Sequence, residues 1–313
     1  MSRAFIFPGQ GSQAVGMGKD LGVAYASARE VFQEVDDALG QKLSKLMWEG
    51  SQEDLTLTEN AQPAIMAVSL AVVCTLEKEG GFKLADKAAF VAGHSLGEYS
   101  ALAAAGAFTL ADTARLLKLR GQAMQRAVPV GQGALAVLLG LDFDAASEIA
   151  KEAAQGEVCE AANDNGGGQV VVSGHKAAVE RAIEIAKGKG AKRSMAIPVS
   201  APFHCALMKP AADEMAEALA GVDLKTPSVA LVANVTASRV ADPATIRDLL
   251  VKQVTGMVRW RESVLYMEQH GVSKYIEVGA GKALAGMVKR IVQEGETVSV
   301  GAPADVEALL KTL

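Results

Sequence analysis

The sequence predicts an α/β fold, with a large domain built on a mainly parallel sheet and an inserted ferredoxin-like small domain. Three observations predict it. Short apolar strands alternate with helical segments from end to end, the rhythm of parallel strands joined by crossover helices. Residues 88–107 read AAFVAGHSLGEYSALAAAGA, a strand, a glycine-bracketed serine and a helix in succession. The segment from Pro129 to Pro198 runs strand, helix, strand, strand, helix, strand, the split βαβ order of a ferredoxin-like unit.

In chain order, AFIF is the first strand, and helices follow over 18–39 and 61–79. The strand AAFVAG comes next, with helices over 97–106 and 110–128. The small domain contains the strand GALAVLLGL, the helix DAASEIAKEAAQ, the strands EVCEAAN and GGGQVVVSG, the helix KAAVERAIEIAKGKG and the strand KRSMAIPV. The larger pattern then resumes with a helix over 207–220, the strand VALVANV and helices over 243–255 and 260–270. The strand YIEVG, a helix over 281–293, the strand TVSVG and a last short helix close the chain. Residues 1–128 and 199–313 are thus expected to form the large catalytic domain and 129–198 the insert, with a ligand cleft between them.

With 313 residues and 50% hydrophobic content, the chain can bury a large core. A net charge of -5 argues against a general nucleic-acid binder. No run reaches the roughly eighteen uninterrupted apolar residues of a membrane span. The N-terminal MSRAFIFPGQG turns at Pro8 before a signal-peptide core would end, so a cytoplasmic location is expected, with no membrane partner. Cys74, Cys159 and Cys205 are odd in number and widely spaced, which indicates neither a disulfide framework nor a zinc site.

Strand, G-x-S-x-G and helix make a nucleophile elbow, a sharp turn that presents a serine hydroxyl at a helix N-terminus. Ser95 is therefore the candidate nucleophile, and the pattern leaves open whether an acyl group passes to water or to another acceptor. The hydroxyl needs a base, and four histidines are available. His94 adjoins the serine on the turn, where consecutive side chains diverge. His270 reads as a helix-end residue and His175 as a capping residue of the small domain. His204, in VSAPFHCALM at the seam of the two domains, is the best placed; its alternative is a buried structural histidine. No carboxylate stands at an evident distance behind it, so a Ser-His dyad is expected, with a backbone or amide oxygen orienting the ring. The loop Gly9-Gln10-Gly11 after the first strand suits one oxyanion donor, the Gln10 amide, and Leu96 after the serine supplies the other.

The helix ADTARLLKLRGQAMQRAV puts Arg115, Lys118, Gln122, Gln125 and Arg126 on one stripe and apolar residues on the other. Arg120 falls on the apolar side, three residues after Leu117 and four before Met124, with Gly121 leaving room for close approach. Its stem either snorkels to solvent or joins a structural salt bridge, or its partner arrives with the substrate as an anionic acyl group. An esterase for neutral acyl chains has no use for a buried cation; a transferase for a dicarboxylic monoester does.

The chain resembles the malonyl-CoA:acyl carrier protein transacylases of bacterial fatty acid synthesis over essentially its whole length. FPGQGSQ at 7–13, GHSLGE at 93–98, RG-x-x-MQ from Arg120, GQVVVSG at 168–174, PFHCALMKPA at 202–211, VRW and EVG-x-GK occur in that family's order. The resemblance implies Ser95 as nucleophile, His204 as base, Arg120 as the binder of the malonyl carboxylate, Gln10 and Leu96 as oxyanion donors, and Gln253 as the residue whose main-chain carbonyl orients the histidine. It also implies a hydrolase-like α/β large domain with a ferredoxin-like insert, malonyl-CoA as donor, the phosphopantetheine thiol of acyl carrier protein as acceptor, and no metal or bound cofactor. Phe203 stands where malonyl-selective acyltransferase domains of polyketide synthases place a phenylalanine that crowds out an α-methyl group. A methyl difference is worth only about 1–3 kcal/mol. Lys187, Lys189, Lys192 and Arg193 in KGKGAKR form either a docking patch for the acidic carrier or a solvated helix-end turn.

Overall fold

AFIF lies within strand β1, Ser2–Phe7, whose last four residues are buried. Such a run, apolar on both faces, suits a parallel strand covered by helices above and below. The structure, a computed structural model, describes residues 2–199 and 201–313. Met1 and Ser200, which fall within the quoted N-terminal and VSAPFHCALM stretches, lie outside the described residues.

The other strands are β2 (Phe90–Gly93), β3 (Gly133–Leu139), β4 (Cys159–Asp164), β5 (Gln169–His175), β6 (Arg193–Ile197), β7 (Ala230–Val232), β8 (Arg239–Val240), β9 (Val272–Val278) and β10 (Glu296–Val300). They form two sheets. The first has the order β10-β9-β1-β2-β7-β8 and is parallel except for its β7–β8 edge. The second, β4-β5-β3-β6, is antiparallel throughout, and with helices Phe143–Ala154 and Lys176–Gly188 it has the strand order of a ferredoxin-like unit. The α/β class with a mainly parallel sheet and a separate antiparallel one is therefore as the sequence predicts.

Phe7 of β1 pairs with Gly93 of β2, so the loops leaving these strands emerge side by side at the carboxyl edge of the sheet. Ligands of open α/β sheets bind at that edge. Helices Thr58–Gly80 and Leu110–Ala127 pack together over the sheet, and Gly121 is the reason they can: a Cβ there would lie 2.5 Å from the Glu59 backbone. By length and composition alone Thr58–Gly80 could cross a membrane, yet 89% of its most apolar stretch is buried inside the protein.

Several boundaries differ from expectation. The helix expected over 18–39 is broken at Tyr25, which is extended (φ -125°, ψ 130°), into Lys19–Ala24 and Ala26–Leu39. Buried Leu21, Ala28, Val31, Phe32 and Val35 keep one helical phase across the break, so the pattern reads straight through it. The strand GGGQVVVSG begins only at Gln169, because Gly166, Gly167 and Gly168 all turn with positive φ (73°, 60° and 72°). VALVANV pairs over only three residues before the chain turns, and the helix over 281–293 contracts to Ala283–Ile291. Helices Leu43–Glu49, Gln52–Thr56 and Leu84–Lys87 and strand β8 are too short to announce themselves by periodicity.

Candidate active site

The turn between β2 and helix Gly97–Ala104 has no room for side chains at its two glycines. A Cβ on Gly93 would lie 1.9 Å from the Gly97 backbone, and one on Gly97 would lie 2.2 Å from the Phe7 carbonyl oxygen. Between them Ser95 adopts φ 53°, a left-handed conformation that costs a residue with a Cβ about 1–2 kcal/mol. Side chains from neighbouring elements hold it there. The Ser95 N–H donates to Asn234 Oδ1 (2.8 Å), Asn234 Nδ2 donates to the Gly93 carbonyl (2.6 Å), and Gln253 Nε2 donates to the Ser95 carbonyl (3.0 Å). Asn234 reaches the turn because β7 lies beside β2.

His204, also at positive φ (57°), places Nε2 2.7 Å from Ser95 Oγ. Its Nδ1 faces two carbonyl oxygens, those of Gln253 (2.9 Å) and Gly256 (3.1 Å). Carbonyls only accept, so the ring proton sits on Nδ1 and the Nε2 lone pair faces the hydroxyl. The ring is 4% exposed, and burial first, then the field of Arg120, pushes its pKa down to about 3. It is thus a neutral acceptor at ordinary pH. The arrangement is a pair fixed by main-chain oxygens, and among the described residues no carboxylate is bonded to the imidazole.

Arg120 is 1% exposed and points into this centre. Its Nη1 donates to Gln62 Oε1 (2.7 Å), and its Nη2 donates to Gln253 Oε1 (2.9 Å) and Ser95 Oγ (3.2 Å). The guanidinium carbon lies 5.7 Å from the Tyr99 ring centroid, and Nε has no acceptor among the described residues. Every one of these acceptors is neutral. Among the described residues no carboxylate touches the guanidinium; the buried Glu98 acts on it from beyond Gln253, and a buried cation with no direct ion pair is costly.

The Gln10 and Leu96 amides belong to the loops that leave β1 and β2. Among the described residues neither finds an acceptor. Gln10 is tied to the arginine through side chains: Thr58 Oγ1 donates to Gln10 Oε1 (2.9 Å) and accepts from Gln62 Nε2 (2.9 Å). A cleft of about 420 Å³ opens over the serine, lined by Gln10, Phe203 and His204 and by Leu135 and Ile197 of the antiparallel sheet. Phe203 adjoins His204 and is buried.

The remaining histidines lie elsewhere or face elsewhere. His94 Nε2 is 2.9 Å from Asn165 Oδ1, so its ring ties the elbow to the antiparallel unit. His175 holds the N-cap position of helix Lys176–Gly188, as expected, but its side chain makes no capping bond; Nδ1 instead accepts the Val158 N–H (3.0 Å), because the ring turns back toward the chain entering β4. His270 ends helix Trp260–Gln269, with Nδ1 2.7 Å from the Tyr266 carbonyl oxygen. Of the basic run, Lys187 pairs with Glu184 (2.6 Å) and Lys189 with Glu152 (2.5 Å), while Lys192 packs on Gly140 and Arg193 is exposed.

Sequence reasoning missed Gln62, Glu98, Asn234 and the side chain of Gln253. Each is a polar residue in an apolar setting, buried where periodicity would place a hydrophobe. Gln62 carries the clearest signal, standing in the apolar helix Thr58–Gly80, as Arg120 stands on the apolar face of its own helix.

The fold and the site together point to a class of serine enzyme that handles acyl groups. Residues 4–309 match the family model described as the acyl transferase domain, and the chain belongs to that family. Its relatives include the malonyl CoA-acyl carrier protein transacylase of Bacillus subtilis (strain 168), 44% identical over 99% of this chain and 96% of that protein. The transacylase of the same name from Escherichia coli (strain K12) is 45% identical over 98% of each. The crystal structure of acyl-carrier-protein-S-malonyltransferase from Bartonella henselae superposes with a TM-score of 0.98 at 53% identity, covering 100% of this chain and 99% of that one. A solved type II PKS acyl-carrier protein in complex with its malonyl-transacylase matches with a TM-score of 0.97 at 41% identity, covering 100% of both chains.

Proposed function

We propose that this protein is an acyltransferase that moves the malonyl group from malonyl-CoA to the phosphopantetheine thiol of acyl carrier protein through a malonyl-Ser95 intermediate. The observation that carries the reading is the Arg120 guanidinium, buried, without a carboxylate partner and 3.2 Å from Ser95 Oγ. The whole-length relatives supply the donor and the acceptor.

In this reading His204 Nε2 takes the Ser95 proton as Oγ attacks the thioester carbonyl. The oxyanion rests on the Gln10 and Leu96 amides. The carbon–sulfur bond breaks, and the CoA thiolate leaves with the proton from His204. The carrier thiol then enters the same cleft, gives its proton to His204 and attacks the acyl-serine; Ser95 leaves with that proton, and the cycle is ping-pong. Arg120 holds the malonyl carboxylate through both halves, the main-chain carbonyl of Gln253 keeps the His204 tautomer, and Phe203 narrows the space beside the α-carbon.

We further propose that residues 129–198 act as one inserted domain forming the far wall of the cleft. Carrier docking is assigned to the basic run, with Lys192 and Arg193 as its cations, since Lys187 and Lys189 are already engaged by glutamates. A cytoplasmic setting fits three free cysteines, of which Cys159 and Cys205 are buried. Incubation with labelled malonyl-CoA, then peptide mapping, tests the chemistry. Label on the Ser95 peptide that chases onto carrier protein is expected; release of free malonate at the rate of carrier acylation would make the protein a hydrolase instead.

A further inference from the structure

Glu98 lies one helical turn beyond Ser95, fully buried, and the mechanism above does not use it. Its Oε2 accepts from the Asn234 N–H (3.0 Å) and from Gln253 Nε2 (2.9 Å). Gln253 is thus caught between groups of opposite demand. On one side stands a carboxylate, which accepts; on the other stands Arg120 Nη2, which donates to Gln253 Oε1 at 2.9 Å. Only one orientation of the Gln253 amide satisfies both. The reverse orientation would aim an NH2 at the guanidinium and an oxygen at the carboxylate, and would also remove the donor from the Ser95 carbonyl.

We propose that Glu98 is a positioning residue that sets the acyl-group selectivity of the site: by fixing the Gln253 amide, its carboxylate aims the Arg120 guanidinium at the place where the substrate's own carboxylate sits beside Ser95. The inference rests on the malonyl-transfer reading. The relay acts on the arginine and not on the base, because His204 is held by the Gln253 main-chain carbonyl, which belongs to the helix Pro243–Thr255 and does not depend on the side-chain amide. Asn234 shares the same carboxylate oxygen, so Glu98 also steadies the residue that grips the Ser95 N–H.

Glu98→Gln keeps the volume and removes the fixed acceptor, since an amide can present either an oxygen or an NH2 to Gln253. The readout is the ratio of kcat/KM for malonyl-CoA to that for acetyl-CoA, with carrier protein as acceptor. In the Glu98→Gln enzyme this ratio is expected to fall about tenfold, mainly through a higher KM for malonyl-CoA, while acetyl transfer falls much less. A merely structural defect would lower both substrates together and leave the ratio intact, which would overturn the proposal. Gln253→Met cuts the relay at its other member while leaving the main-chain carbonyl, and gives the same loss of ratio should Glu98→Gln fold poorly. Wild-type enzyme and Arg120→Ala serve as references. If the wild type does not prefer malonyl to acetyl, the malonyl-transfer reading fails; if it does, and Arg120→Ala loses the preference while Glu98→Gln and Gln253→Met retain it, the positioning role of Glu98 alone is refuted.

Discussion

Arg120 Nη2 donates to Ser95 Oγ at 3.2 Å while the same nitrogen donates to Gln253 Oε1 at 2.9 Å. The guanidinium is thereby locked beside the nucleophile before any substrate arrives, and the cost of ordering it is met in folding. Removing it in Arg120→Ala should cut malonyl transfer on the order of a hundredfold or more, the scale of a lost buried charge pair. Acetyl transfer, which brings no carboxylate, should fall far less. Steady-state kinetics with both thioesters measures the split, and equal losses would remove the carboxylate role from Arg120.

The base should not titrate in the usual histidine range. Burial and Arg120 push His204 down to about 3, so it stays neutral from pH 7 to pH 5. The acetyl-transfer rate should show no histidine limb in that window. Stability carries the opposite signature: the unfolded chain binds a proton near the ordinary value of 6.5 and the folded chain does not. Folding stability from this group is therefore lost as pH falls below about 6.5 toward the folded value. Denaturant titrations of wild type and His204→Ala at pH 7 and pH 5 check the sign.

Glu98 should act in the other direction. Burial pushes its pKa from 4.5 to about 7, against the hydrogen bonds from Asn234 and Gln253. The folded form holds the proton more tightly, so stability from Glu98 is present below pH 4.5 and lost as pH rises through about 7. The stability of Glu98→Gln relative to wild type should thus improve between pH 5 and pH 8, read by chemical denaturation. A constant difference would place the carboxylate in a more polar setting than its burial indicates.

The elbow glycines should tolerate no methyl group. Gly93→Ala would place a Cβ 1.9 Å from the Gly97 backbone, and we expect it to cost about 4 kcal/mol or more, or to abolish soluble expression. Gly188→Ala is the control. Nothing lies within 4 Å of its added Cβ and its backbone is helical, so it should be neutral or stabilise by about 0.4–1 kcal/mol. Thermal melts of the two variants decide it.

Reversing Lys192 and Arg193 to Glu tests carrier docking. The double variant should raise KM for carrier protein and leave KM for malonyl-CoA near wild type, with the difference shrinking as salt rises. An unchanged KM for the carrier would place docking on another face.

The elbow was legible because steric demands wrote themselves into sequence as Gly93 and Gly97, and Arg120 was legible because a charge on an apolar helix face has no bland place to go. The helices Phe143–Ala154 and Lys176–Gly188 and the succession of strands around them along the chain followed from hydrophobic patterning. What stayed hidden depends on strand order. Asn234 matters because β7 happens to neighbour β2, and Glu98 matters because a glutamine from a helix 155 residues downstream lies against it. No local pattern records such contacts. Tyr25 shows the converse limit, since a helix can break without disturbing the phase of its apolar positions.

The most direct test is a crystal structure of the enzyme trapped with malonyl-CoA after acylation and before the carrier is added. Continuous density from Ser95 Oγ to the acyl carbon, with the terminal carboxylate about 3 Å from the Arg120 nitrogens, is the expected result. A malonyl group whose carboxylate turns to solvent, while Arg120 keeps only Gln62 and Gln253, would contradict it.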